Sequence, residues 1–126
     1  MKHDSHDESC SICKVNADDP GKTGVIWEDK NWFVRHMPSP AAPLAGWLMF
    51  CTQRHVQGPA HFTDEEAAAV GSVLRHVSRK IEDITGAPRV YLLAFGESFP
   101  HMHAHLIPRY SDLPTEYTAF GVADLS

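Results

Sequence analysis

Thr63 to Pro88 carries a full set of helix punctuation, and it constrains the fold more than any other stretch. Thr63 stands where an N-cap belongs, and Glu66, three residues on, can reach back to it as a capping box. Asp64, Glu65 and Glu66 place acid in the first turn, where it suits the helix dipole, and Gly86 and Pro88 end the pattern. Between them Ala67, Val70, Val73, Leu74, Val77, Ile81 and Ile84 recur at helical spacing and form one apolar stripe, with His76 off the stripe and expected in solvent. At about 1.5 Å per residue this helix runs roughly 30 Å, enough to cross a sheet. One long helix with one apolar face needs a second layer to cover that face.

The other apolar segments supply strands. Gly24–Trp27, a turn at Glu28–Asn31 and a return over Trp32–Arg35 read as a hairpin. Met37–Pro43 holds three prolines and must be a loop. Gly46–Cys51 is a continuous apolar run, which suits a strand buried on both faces in mid-sheet. Val90–Phe95 reads as another buried strand, connected through Gly96–Pro100 to His101–Ile107. The order strand, strand, strand, long helix, strand, strand predicts an α+β domain with an antiparallel meander.

Composition narrows the function classes. At 126 residues the chain is one domain, and its net charge of −5 argues against a non-specific nucleic-acid binder, which would need a basic face. A phosphate ligand stays possible, because the field in a cleft can oppose the global sign. No apolar run reaches the roughly 18 residues of a membrane span, and the polar, acidic Met1–Ser9 has no signal-peptide character, so a cytoplasmic protein is expected. Residues 1–9 read as a disordered tail and residues 10–126 as a single domain. The last stretch, Tyr110–Ser126, reads as a loop whose aromatics pack either near a site or on a second subunit. In such a chain three cysteines point to metal or free thiols rather than disulfides.

Two motifs carry chemistry. Cys10-Ser11-Ile12-Cys13 is a C-x-x-C, open to three readings: half a zinc site, a redox pair or two unlinked thiols. A redox pair would want a thioredoxin-like βαβ context, which does not follow; a zinc site would want about two more N or S ligands, with Cys51 one rival for such a place. The second motif is His101-Met102-His103-Ala104-His105-Leu106-Ile107. A strand's side chains alternate faces, so His101, His103 and His105 share one face. Imidazoles in a row can ligate metal, attack phosphorus or donate to phosphate oxygens.

This stretch resembles the signature of the histidine-triad (HIT) family, in which three histidines alternate with apolar residues, and the match is complete over seven positions. Similarities extend from Cys10 to about Tyr110. The resemblance implies a HIT-like fold, a homodimer and a nucleotide or dinucleotide substrate. It also implies a structural zinc held by Cys10, Cys13, His55 and His101, with His55 in a Gln53-Arg54-His55-Val56 element at the end of the central strand. His103 would be the nucleophile toward the α-phosphorus, His105 would bind phosphoryl oxygens, and Ser98, three residues before the first triad histidine, would serve the leaving group. Glu97 stands where relatives often carry Gln, and Arg35-His36-Met37 stands where an acidic residue commonly takes the ribose, leaving His36, Glu97 and Arg109 as candidate substrate contacts. The function implied is hydrolysis of dinucleoside polyphosphates or nucleoside phosphoramidates through a nucleotidyl-histidine. The alternatives are a nucleotidyltransferase, a metal-dependent hydrolase using the three histidines as ligands, and a nucleotide-binding module with little turnover.

Overall fold

The computed structural model describes residues 4–18, 25–36, 44–97 and 100–125. In chain order they form α1 (Ser11–Asp18), β1 (Val25–Glu28), β2 (Trp32–His36), β3 (Leu48–Thr52), α2 (Asp64–Thr85), β4 (Arg89–Leu93) and β5 (His103–Arg109). Short 3-10 helices lie at Pro59–His61, Thr115–Tyr117 and Ala119–Leu125. The five strands make one antiparallel sheet in the order β1-β2-β3-β5-β4. The chain meanders through β3; α2 then carries it to the far edge, and β5 returns between β3 and β4. The proline-rich loop at 37–43 and Ser98 lie outside the described residues.

α2 starts and stops where its sequence demands. Thr63 Oγ1 accepts from the Glu66 N–H at 3.1 Å, and Glu66 Oε1 accepts from the Thr63 N–H at 2.8 Å. Gly86 closes the helix at φ +71, a left-handed conformation that suits glycine. The inward side of the helix meets Trp32, Val34, Leu48, Phe50, Ala104 and Leu106, mainly through Val77 and Ile81. Trp32 stacks on Phe50 at 4.3 Å between centroids and meets the edge of Phe62 at 5.4 Å, contacts worth about 0.5–1.5 kcal/mol each beyond burial. The ends of the predicted stripe do not take part: Ala67 is exposed and Ile84 is 82% exposed.

Glu66 also ties this helix to the end of β3. Its carboxylate accepts from Arg54 Nη2 at 2.9 Å and Nε at 3.3 Å, a two-pronged bond beside His55. Burial opposes the Glu66 charge, but Arg54 and the Thr63 N–H outweigh it and hold the carboxyl below its usual range. Because the folded pKa is the lower one, the stabilisation is full above the unfolded value of about 4.3 and fades as pH falls through the folded value. Glu66→Ala is expected to lose about 2–3 kcal/mol in urea unfolding near neutral pH, with the gap from the parent closing in acid; equal stabilities at pH 7 would contradict this.

The register assigns each strand residue a face. Directly opposed residues share a face, so Arg35, Met49, His105 and Leu93 form one row and Phe33, Cys51 and His103 the next, on the side away from α2. That second face is covered in two places. At one end α1 packs Cys10, Ile12 and Cys13 over Phe33 and Cys51. At the other, the C-terminal 3-10 segment packs Val122 and Leu125 near Trp47, Ile107, Tyr91 and Leu93. This 3-10 segment docks through aliphatic side chains while its Phe120 is 93% exposed, and Tyr110 at the start of the tail donates to the Ala45 carbonyl at 2.6 Å. One strand differs from expectation: the run read as a buried strand over Val90–Phe95 is the edge strand β4, ending at Leu93, with Leu92 and Phe95 exposed.

Candidate metal centre and histidine face

α1 brings both C-x-x-C thiols to the face opposite α2. Cys10 caps the helix from outside, its carbonyl accepting from the Lys14 N–H at 3.0 Å, and Cys13 sits one turn on. Helices of eight residues are marginal alone, and this one is held by burial of Ile12 and Cys13. The Cys13 N–H donates to Cys10 Sγ at 3.3 Å, which fixes the two sulfurs relative to each other across the first turn.

Two histidines complete the cluster. His101 is wholly buried just before β5, and its Nε2 lies 2.7 Å from the Thr52 carbonyl oxygen. A carbonyl only accepts, so Nε2 carries the proton and the Nδ1 lone pair faces Cys13 Sγ at 3.4 Å and Cys10 Sγ at 3.5 Å. His55, in the loop after β3, puts Nδ1 at 3.3 Å from Cys13 Sγ. Burial, followed by the His55 and His103 charges, pushes the His101 pKa down against the bond to Thr52, so its imidazole is the neutral ligand form. Burial also pushes the Cys13 thiol up to about 11, so adjacent thiolates are disfavoured unless a cation neutralises them.

The four donor atoms lie within 4.8 Å of one another. Bonds of about 2.0–2.3 Å in a tetrahedron put neighbouring N and S ligands about 3.5 Å apart, close to the spacings found. Two soft sulfurs with two imidazoles suit zinc, so the residues fit the implied group. Among the described residues no other grouping of three or more such side chains is close enough to hold a metal, and His103 and His105 stand outside this one. Cys51, the rival ligand, is buried beneath the cluster against Asn16, and burial pushes its thiol up to about 12.

Sequence inspection misses the groups around the ligands. His55 is steadied from residues 4–9, the described part of the 1–9 segment expected to be a tail: Ser5 Oγ accepts from the His55 N–H at 2.6 Å, and Asp7 Oδ2 lies 3.7 Å from His55 Nε2. Hydrogen bonds from Ser9 hold the Asp7 carboxyl below its usual range, so it stays anionic beside the ring.

The triad divides at His101. β5 begins at His103, because Met102 pairs outside the ladder, donating to the Val56 carbonyl at 2.6 Å and accepting from the Thr52 N–H at 3.2 Å. His101 belongs to the cysteine cluster and reaches His103 through its backbone: His103 Nδ1 lies 2.7 Å from the His101 carbonyl oxygen. The proton therefore sits on Nδ1 of His103 and the lone pair on Nε2. His105 faces the same way, its centroid 5.8 Å from that of His103, and accepts at Nδ1 from the indole N–H of Trp47 at 2.9 Å. Both rings are half-buried, between the two covers of this face.

Residues 21–112 match the family model of the HIT domain. The chain belongs to the HIT family. Solved structures agree on the fold. A HIT family member from Bacillus subtilis superposes at a TM-score of 0.71 with 26% identity, over 83% of this chain and 76% of that one. A HIT family protein from Bacillus anthracis reaches 0.70 with 24% identity, over 83% and 76%. A hypothetical histidine triad nucleotide-binding protein from Sulfolobus tokodaii reaches 0.69 with 21% identity, over 88% and 76%. No curated protein matches the chain. Among the described residues no helix is long and apolar enough to cross a membrane.

Two of the remaining candidates of this HIT protein, His36 and Arg109, lie apart from the histidine pair. His36 pairs with Leu48, whose side chain is in the α2-side core, so His36 is on the opposite face from His103. Arg109 shares the histidine face but is six residues along from His103, about 20 Å by strand rise, and its Nη1 donates to the Tyr110 carbonyl at 2.8 Å. Glu97 is exposed on the connection between β4 and β5. Neither His36 nor Arg109 is brought to the histidine pair.

Proposed function

We propose that this HIT protein hydrolyses nucleoside phosphate derivatives, dinucleoside polyphosphates or nucleoside phosphoramidates, through a covalent nucleotidyl-histidine. The observation that carries the reading is the bond from His103 Nδ1 to the His101 carbonyl, because it leaves the lone pair on Nε2 of a half-buried imidazole. In the first step that lone pair attacks the α-phosphorus, the bond from phosphorus to the leaving group breaks, and the leaving group takes a proton from solvent. In the second, water attacks the same phosphorus, the phosphorus–nitrogen bond breaks, and the water's proton passes to solvent. His105, beside His103 on the same face, meets the phosphoryl oxygens where negative charge grows. Ser98 would donate to the leaving group.

Cys10, Cys13, His55 and His101 would hold zinc as a closed structural site, four protein ligands with no position for water. Its contribution is to fold the N-terminal segment onto the sheet and to fix the His101 carbonyl that orients His103. A homodimer and a cytoplasmic location complete the reading.

The test is a panel of dinucleoside polyphosphates, nucleoside phosphoramidates and nucleotide sugars, with acid-sensitive adducts sought by mass spectrometry after rapid mixing. Turnover of a phosphoramidate or polyphosphate with a nucleotidyl group on the His103 peptide is the expected result. Tight nucleotide binding without turnover, or turnover that needs added metal and forms no adduct, would remove it.

A further inference from the structure

We propose that Trp47 is a positioning residue that sets the tautomer of His105. An indole N–H can only donate, and it lies 2.9 Å from His105 Nδ1, so that nitrogen is the acceptor and the neutral ring carries its proton on Nε2. The rings meet edge to face at 87°, with centroids 5.7 Å apart. The indole is well held. Trp47 is buried against Ile107 and Val122, and Gly46 before it takes φ +84, where a Cβ would come within 3.1 Å of Thr85.

The consequence shows beside His103. The backbone sets His103 with Nδ1–H inward and the lone pair on Nε2, whereas Trp47 sets His105 with the lone pair inward and the proton on Nε2. Adjacent rings on one strand face therefore present unlike groups, a nucleophilic nitrogen and a hydrogen-bond donor. On the proposed function, on which this consequence rests, attack on phosphorus needs that combination: one ring gives electrons while its neighbour stabilises the oxygen that gains charge. Protonating His105 would have to occur at Nδ1 and would break the Trp47 bond. The same sheet row offers Met49 and Leu93, with Arg35 beyond Met49, and among the described residues His103 is the titratable group that acts on the His105 ring; it opposes charge there, as burial does.

The experiment combines histidine-ring nitrogen NMR on the whole zinc-loaded protein with Trp47→Phe, which keeps a ring and removes the N–H. In the parent, His105 should show a pyridine-like Nδ1 and a pyrrole-like Nε2, with the Trp47 indole proton shifted downfield. In Trp47→Phe the His105 Nδ1 signal should move and the ring should protonate at higher pH. With a nucleoside phosphoramidate as probe, kcat should fall about tenfold, less than the 10²–10³ for deleting such a donor outright, with KM changed less. A proton on Nδ1 of His105 in the parent would overturn the proposal whether or not Trp47→Phe folds. So would His105 signals and titration that Trp47→Phe leaves in place, or an unchanged kcat. If the tautomer is as stated but the parent turns over no member of the panel, the tautomer-setting role stands and the hydrolase reading falls.

Discussion

Cys13→Ala is expected to purify with no bound zinc and to melt tens of degrees below the parent, or to show no cooperative transition. The ligands come from three separate places in the chain: the start of α1, the loop after β3 and the residue before β5. A structural zinc site of this donor type contributes about 10–16 kcal/mol to folding in small peptides. Even a third of that would consume much of a domain's stability of about 5–15 kcal/mol. Loss of the site would also release His101, whose carbonyl orients His103, so activity should fall with stability. Cys51→Ala is the matched control. Cys51 is fully buried beneath the cluster but outside the ligand set, so that variant should keep its metal and lose only about 1–2 kcal/mol of packing. Metal analysis and thermal unfolding on both proteins decide the matter. About one zinc per chain retained in Cys13→Ala, or free alkylation of Cys10 and Cys13 in the native parent, would remove the structural-zinc reading.

Local features were legible in the sequence where local chemistry decides them. Thr63, Glu66 and Gly86 define the ends of α2 through bonds that span a few residues, and the structure keeps each of them. The cysteine–histidine cluster follows the family resemblance, not spacing, since forty-one residues separate Cys13 from His55 and forty-five separate His55 from His101. What stays hidden depends on pairing. Val90–Phe95 is apolar enough for mid-sheet, yet composition cannot say which strand takes the edge, and α2 delivers β4 there. His36 follows Arg35 by one residue, and that one step puts it on the other face of the sheet. α1 is short and weakly patterned, and it forms because Ile12 and Cys13 find partners far along the chain. Trp47 opens an apolar run and reads as core; its N–H matters only because pairing of β3 with β5 brings His105 beside it. Of the triad only His103 and His105 alternate along the strand; His101 stands before β5 and meets Cys10 and Cys13, the place that the family resemblance implies for it.

His103→Ala should abolish covalent labelling by a nucleotide and cut turnover by on the order of 10⁴-fold or more while leaving zinc in place. The zinc should stay because His103 is not among the four donors, and the bond lost, from His103 Nδ1 to the His101 carbonyl, is not a metal contact. Stability should change little, since the ring is half-buried and lies outside the main core. Stereochemistry gives an independent check. Attack by His103 and then by water are two in-line displacements, each inverting phosphorus, so a chiral phosphorothioate substrate should be hydrolysed with net retention. A water attacking directly would invert once. The same comparison separates His103 from its neighbour. His105→Ala should still form the adduct, but more slowly, because it removes a donor to the phosphoryl oxygens and leaves the attacking lone pair in place. Inversion at phosphorus, or undiminished turnover by His103→Ala, would transfer the chemistry to another group on this face of the sheet.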